Sequence, residues 1–92
     1  MPVPDDGSAS LIDYPSAFPI KVMGAQVDGF VEAIVAVARR HDPSFDDTKI
    51  ELRPSRAGNY LGITITVTAT SRAQLDALYA ELSSHPMVKV AL

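Results

Sequence analysis

Two arginines lie close together in the segment RPSRAGNYLG, which begins at Arg53. Paired guanidinium groups can bind an anion, a phosphate backbone or a partner protein. The same composition is typical of the tip of a β-hairpin, because Gly58 and Asn59 tolerate a positive φ. The sequence leaves both interpretations open for Arg53 and Arg56. It predicts a hairpin turn at Gly58 and Asn59, after which Tyr60 begins a strand.

The segment MGAQVDG contains a second candidate site at Gly24, Ala25 and Gln26. It follows a predicted strand and precedes a predicted helix, whose N-terminal N–H groups can bind a small carboxylate or amino-acid-like ligand. Gln26 can orient a polar group of that ligand. The alternative is an ordinary strand-to-helix turn. A dinucleotide site is not indicated, because the segment lacks the Gly-x-Gly-x-x-Gly pattern.

Histidines and aspartates are the remaining candidates for metal or acid-base chemistry. His41 and His85 both lie near a proline at the predicted end of a helix, where a cation stabilises the helix dipole. Asp42, Asp46 and Asp47 lack the spacing of a calcium loop, which favours a solvated acidic loop. No serine lies in a Gly-x-Ser-x-Gly elbow. We therefore expect no metal, no cofactor and no enzymatic activity.

Composition limits the class of function further. The chain has 92 residues, a formal net charge of -3 and no cysteine, so we expect one domain without disulfides or a long-range positive field for nucleic acid. No apolar run approaches the ~20 residues of a membrane span, and MPVPDDGSAS lacks the pattern of a signal peptide. We expect a cytoplasmic protein, with a mostly disordered tail over residues 1–16 and a single domain over residues 17–92.

Hydrophobic periodicity predicts the elements in the first half of the chain. The run FPIKVMG alternates as a strand with one buried face and stops at Gly24. From Val27 to His41, apolar residues recur at steps of three and four, which indicates an amphipathic helix. Asp28 either caps this helix or lies in its first turn, because a carboxylate is favourable at both positions.

The second half repeats the pattern after a hairpin. A short strand from Ile50 to Pro54 belongs at a sheet edge, because proline lacks a ladder donor. Residues 56–59 connect it to YLGITITVTAT, in which apolar residues alternate with glycine and threonine. Ser71 and Gln74 form a capping-box pattern that begins a second helix. This helix ends near Ser84, before the closing strand MVKVAL.

The order β-α-β-β-α-β specifies how the sheet is assembled. Right-handed crossovers and the hairpin predict an α+β, ferredoxin-like two-layer sandwich with an antiparallel sheet in the order 4-1-3-2 and both helices on one face. In the closing strand we expect Val88, Val90 and Leu92 to face the core. The opposite face would then be mostly polar: Lys21, Met23, Glu51, Arg53, Thr64, Thr66, Thr68 and Lys89. It lacks the aromatic platforms of RNA-recognition domains, which argues against nucleic-acid binding.

Short motifs along the domain form a recognisable series. They are Tyr14-Pro15, Lys21-Val22-Met23-Gly24, Arg40-His41, Gly58-Asn59-Tyr60 and Leu78-Tyr79. In this order they resemble the YbeD-like family of small bacterial proteins of unassigned function. The resemblance implies a fold similar to ACT-type regulatory domains, which bind small molecules, and a regulatory link to lipoate metabolism. It implies a ligand position at Gly24 to Gln26 and supplies no catalytic residue.

Two hypotheses of function follow. The first is a non-enzymatic regulatory module that senses a small ligand, as ACT domains do. The second is a protein-protein interaction adaptor without a small ligand, which uses the open sheet face or the segment LIDYP. RNA binding is a weaker third hypothesis. A homodimer through a sheet edge or the open face is compatible with the first hypothesis, and the sequence does not identify the partner.

Overall fold

The predicted elements follow one another in the predicted order, with one additional 3₁₀ turn. The computed structural model describes residues 14–92. Its elements are β1 (Ser16–Ala25), α1 (Phe30–His41), the 3₁₀ turn (Asp47–Lys49), β2 (Glu51–Pro54), β3 (Tyr60–Ala69), α2 (Arg72–Ser84) and β4 (Val88–Ala91). The tail prediction for residues 1–13 lies outside the described part of the chain.

The four strands form one antiparallel sheet in the order β2-β3-β1-β4, as predicted. The longest pairing joins β1 to β3, from Ser16 opposite Ala69 to Ala25 opposite Tyr60. The two helices contact each other and both contact β3, so they cover the same face of the sheet. The ferredoxin-like two-layer sandwich is confirmed. We call the other face, which neither of these helices covers, the open face.

The core lies between the helices and the inner face of the sheet. Alternation in β3 buries every second residue, and the apolar stripes of α1 and α2 pack onto those side chains. The largest side chains that are almost fully buried are Ile20, Val22, Phe30, Ile34, Val37, Ile63, Ile65, Val67, Leu78 and Leu82. The helices therefore bury one face of β1 and β3, whereas every residue of β2 is exposed.

Helix α1 begins at Phe30, three residues later than predicted from the position of Val27. Gly29 precedes it with φ 87°, a left-handed conformation that interrupts the helical path. Asp28 therefore lies outside the helix and does not cap it, so both predicted positions for its carboxylate are wrong. Val27 lies outside the helix as well, with its side chain 52% exposed.

Helix α2 begins with the predicted cap. The Ser71 hydroxyl accepts a hydrogen bond from the Gln74 backbone N–H at 3.0 Å. The Gln74 carboxamide bonds elsewhere: its oxygen accepts from the Thr70 N–H at 2.7 Å, and its nitrogen donates to the carbonyls of His41 and Thr68 at 2.8 and 3.0 Å. One side chain thus joins the start of α2 to the ends of α1 and β3.

Strand β4 contradicts part of the predicted burial pattern. Val90 lies opposite Met23, but Val88 lies opposite Gly24, so the register shifts by one residue at Lys89. This β-bulge interrupts the period-two alternation, because two residues of one strand then oppose one residue of its neighbour. Val88 stays half-buried on the inner side.

Leu92 follows the strand register that β4 adopts after the bulge. Leu92 exchanges two backbone hydrogen bonds with Lys21, at 3.1 and 2.8 Å, and therefore shares its face. The prediction that Val90 and Leu92 face the core is wrong, because both lie on the open face.

Candidate functional site

Four large apolar side chains are exposed together on the open face. Met23, Tyr60, Val90 and Leu92 are 49%, 43%, 46% and 71% exposed, and we call them the open-face patch. Met23 lies between Val90 on β4 and Gly62 on β3. Because glycine has no side chain, nothing at that position covers Met23 from the β3 side.

Basic side chains flank this patch. Lys21 lies on β1 between Leu92 and Thr64, and Arg53 lies on β2 opposite Gly62. Glu51 is an acidic residue of the same face, opposite Thr64. Within residues 14–92, neither Lys21 nor Arg53 forms an ion pair. The open face therefore combines an apolar patch with cations that form no ion pair with the described carboxylates.

The arginines of the helical layer differ in this respect. Arg39 pairs with Asp47 at 2.8 Å, Arg72 pairs with Asp76 at 3.4 Å, and Arg40 pairs with Glu81. Arg56, at the exposed hairpin tip, has no ion-pair partner within residues 14–92. The uncompensated positive charge of the described arginines is thus concentrated on β2 and its hairpin.

The fold brings two sequence-predicted sites together at one end of the sheet. The Gln26 backbone N–H donates to the Asn59 carbonyl at 3.0 Å, and Ala25 lies opposite Tyr60. The segment Gly24 to Gln26 is therefore adjacent to the hairpin. Within that hairpin, Gly58 has φ 79° and donates its N–H to the Ser55 carbonyl at 3.0 Å.

Packing explains the glycine at position 24 without a ligand. A Cβ atom there would lie 2.1 Å from the Met87 carbonyl oxygen and 2.7 Å from Cζ of Phe30. Gly24 thus permits the close approach of β4 and α1 to β1. Two open surface cavities, of about 390 and 170 Å³, are lined by other residues. Of the predicted ligand segment, Gln26 is the residue with an exposed side chain.

Asp42 is buried and structural, so its assignment to a solvated acidic loop is wrong. Its carboxylate accepts from the Ser44 hydroxyl and N–H at 2.6 and 3.0 Å and from the Thr68 N–H at 2.8 Å. Burial raises the pKa of this carboxyl, but these hydrogen bonds outweigh burial and hold the pKa below its usual value. Thr68 lies beyond the part of β3 that β2 covers, so Asp42 satisfies an N–H at the free edge.

The other aspartates of this loop are structural as well. Asp46 accepts from the Thr48 hydroxyl and N–H, at 2.6 and 2.9 Å, which lowers its pKa and caps the 3₁₀ turn. Asp47 forms the ion pair with Arg39. Within residues 14–92, no group of three or more His, Cys, Asp or Glu side chains is placed to bind a metal ion.

Both histidines have roles at helix ends. His41, the last residue of α1, places Nε2 2.7 Å from Oε1 of Glu81 on α2, and Arg40 also bonds that carboxylate. His85 follows α2, and its Nδ1 accepts from the Met87 N–H at 3.1 Å. Local spacing could not predict the contact between His41 and Glu81, because it joins residues far apart in the chain.

Comparison with known proteins gives the family. A family model described as "Protein of unknown function (DUF493)" matches residues 9–92. The chain belongs to the DUF493 family. A UPF0250 protein of Leptothrix cholodnii is 74% identical over 83 residues, covering 90% of this chain and 91% of the relative. One from a Janthinobacterium species is 62% identical over 87 residues, covering 95% and 96%.

A solved structure matches the whole DUF493 chain. Protein HP0495 of H. pylori superposes with a TM-score of 0.75 at 15% identity, covering 100% of this chain and 97% of that protein. At this identity the match shows a common fold. The resemblance to YbeD-like proteins of unassigned function is confirmed, and the family carries no assigned activity. Neither helix within residues 14–92 is long and apolar enough to cross a membrane.

Proposed function

We propose that this DUF493 protein is a non-enzymatic adaptor or regulatory module that binds a partner protein through the open face. The observation that carries the proposal is the adjacent pair Met23 and Val90, 49% and 46% exposed on that face. Transfer of a methionine or valine side chain from water into an interface contributes ~1.5–3 kcal/mol. Contiguous exposed apolar side chains on a small protein are typical of interaction sites.

The flanking charges specify the chemistry of the partner. Lys21 and Arg53 border the patch and have no ion-pair partner within residues 14–92. A protein surface with apolar side chains at its centre and carboxylates at its rim is complementary to this arrangement. Apolar contact would supply most of the affinity, and the charges would guide orientation and association.

The non-enzymatic part of the proposal rests on the roles of the titratable groups. Asp42, His41 and Glu81 are hydrogen-bonded within the fold, and His85 bonds the backbone after α2. Each of these side chains therefore has a structural partner and lies away from the open-face patch. Action in the cytoplasm is part of the same proposal, and the absence of cysteine agrees with a reducing compartment.

A small-ligand role is the second candidate function. It is favoured by the exposed Gln26 side chain beside the hairpin that carries Arg56. A thermal-shift screen with amino acids, lipoate and other carboxylates tests it, with Gln26→Ala as the variant. A saturable rise in melting temperature that this variant abolishes would support ligand sensing. Unchanged melting with every compound would contradict ligand sensing.

Charge introduced at Met23 tests the open-face proposal. Met23→Glu and Val27→Glu change residues of similar exposure, 49% and 52%, and Val27 lies outside the sheet, in the loop before α1. We expect both variants to fold, because exposed substitutions change stability by about 0.5 kcal/mol or less. A partner captured from extract should be retained by the wild type and by Val27→Glu and lost by Met23→Glu.

The captured protein is then purified and titrated. We expect Met23→Glu to raise the dissociation constant of the complex with this partner at least about tenfold, as loss of a central apolar contact does. Equal binding by wild type and both variants would contradict the proposal.

A further inference from the structure

A groove on the helical side lies between α1 and the segment that runs from the 3₁₀ turn to Ile50, the residue before β2. The groove is open to solvent and has a volume of about 390 Å³. Val31, Val35 and Ile50 form its apolar walls, and Glu32, Arg39 and Asp47 lie among its polar lining residues. Val31 and Val35 are one helical turn apart and only half-buried. The core therefore leaves part of this side of α1 uncovered.

Strand β2 contributes a free edge beside the groove. Within residues 14–92 it pairs with β3 alone and lies at the edge of the sheet. The Ser55 N–H points toward β3, where it donates to the Tyr60 carbonyl at 2.8 Å. Because main-chain groups alternate in direction along a strand, those of Leu52 point away from β3. The Leu52 side chain, opposite buried Ile63, lies on the helical side and is 51% exposed.

The charge at the groove is negative on balance. Arg39 and Asp47 neutralise each other at 2.8 Å. Glu32 has no ion-pair partner within residues 14–92 and is exposed on α1. A bound segment with a basic side chain near Glu32 would therefore match the charge of the groove.

We infer that this groove and edge bind an extended segment of a partner protein, added as a strand beside β2. The segment exchanges backbone hydrogen bonds with Leu52, which an α-helix cannot do because its main-chain groups are already paired. It inserts an apolar side chain between α1 and Ile50, next to the start of β2, and directs a basic side chain toward Glu32. Pro54 offers a carbonyl and no N–H, so the added ladder is only a few residues long.

The alternation of a strand fixes the order of the two side chains. Residues two apart share a face, so the apolar and basic residues of the bound segment are separated by one residue. The peptide acetyl-Thr-Val-Thr-Lys-Thr-amide has this pattern and serves as the probe. The surface is distinct from the open face, since α1 and the open-face patch lie on opposite sides of the sheet.

Titration of this peptide into the ¹⁵N-labelled full chain tests the inference by NMR. We expect saturable shifts at Leu52, Val31 and Val35 and slower hydrogen exchange of the Leu52 amide. The variant Leu52→Pro removes that N–H at an edge position that tolerates proline, and Leu52→Ala is its control. The peptide should bind Leu52→Ala measurably and Leu52→Pro at least about threefold more weakly, a loss of the size of one hydrogen bond.

Charge exchange separates a specific contact from a structural effect. Glu32→Lys should weaken the lysine peptide several-fold, and acetyl-Thr-Val-Thr-Glu-Thr-amide should recover the affinity for that variant. Shifts confined to the open face would overturn the inference. The absence of shifts at the highest peptide concentration would overturn it as well. Equal binding of both peptides to wild type and Glu32→Lys would overturn the charge pairing. Peptide binding at the groove and partner binding at Met23 are measured in separate experiments. One proposal can therefore be contradicted while the other is supported.

Discussion

Met23 and Val90 lie opposite each other across β1 and β4, and both side chains project from the open face. This relationship depends on the bulge at Lys89, which changes the side of the sheet to which Val90 points. Without the bulge, Val90 would add to the core and the open face would be largely polar. The fold therefore exposes apolar area that a regular strand would bury, which is the physical basis of the proposed partner site.

Replacement of Gly24 should destabilise the fold through packing. A Cβ at this position would lie 2.1 Å from a backbone oxygen of Met87, which cannot move without shifting β4. We expect Gly24→Ala to lower the free energy of unfolding by about 1–3 kcal/mol. Gly62→Ala is the matched control in β3, because its Cβ would lie 3.5 Å from the nearest atom, Arg53 oxygen. Equal urea midpoints for the two variants would show that the close approach at Gly24 is unimportant.

Substitution of Gly58 should reveal the cost of its left-handed backbone. Its φ is 79°, and apart from its chain neighbours no atom of residues 14–92 lies within 4 Å of an added Cβ, so strain and not crowding determines the effect. We expect Gly58→Val to destabilise by about 1–2 kcal/mol, and Gly58→Asn to cost less because asparagine tolerates this conformation. Thermal melts of both variants measure the difference. Identical melting temperatures would contradict the argument.

Asp42 should make the stability of the fold decrease as the pH falls in the acidic range. Its folded pKa lies below the ordinary value of 3.8, so its contribution is complete above that pH and is lost as pH falls through the folded pKa. At pH 7 we expect Asp42→Asn to lose about 1–3 kcal/mol, since the amide disrupts bonds to Ser44 and Thr68.

Denaturation at several pH values checks this prediction. The difference in stability between wild type and Asp42→Asn should shrink below pH 3.8. Asp76→Asn, at an exposed ion pair, should produce a small effect. A difference that stays constant from neutral to strongly acidic pH would mean that the Asp42 carboxylate is not the stabilising form.

Local patterns were sufficient to predict most of the fold. The alternation in YLGITITVTAT corresponds to the buried and exposed faces of β3, and the Ser71 cap forms as expected. Both signals come from residues close together in the chain. The hairpin and the preference for right-handed βαβ connections then predicted the strand order.

Long-range features could not be predicted in the same way. The bulge at Lys89 arises where β4 meets β1, and periodicity within β4 contains no sign of it. The burial of Asp42 depends on the free edge at Thr68, 26 residues along the chain. The role of Gly24 depends on contacts with Phe30 and Met87, so a glycine that suggested a ligand is explained by packing.

Photo-crosslinking from the open face tests the central proposal most directly. The crosslinker p-benzoylphenylalanine replaces Met23 in one variant and Ala77, an exposed residue of α2, in another. After irradiation of intact cells, we expect one dominant protein adduct from position 23, absent from position 77 and reduced by Lys21→Glu. No adduct from position 23, or the same adducts from both positions, would contradict partner binding through the open face.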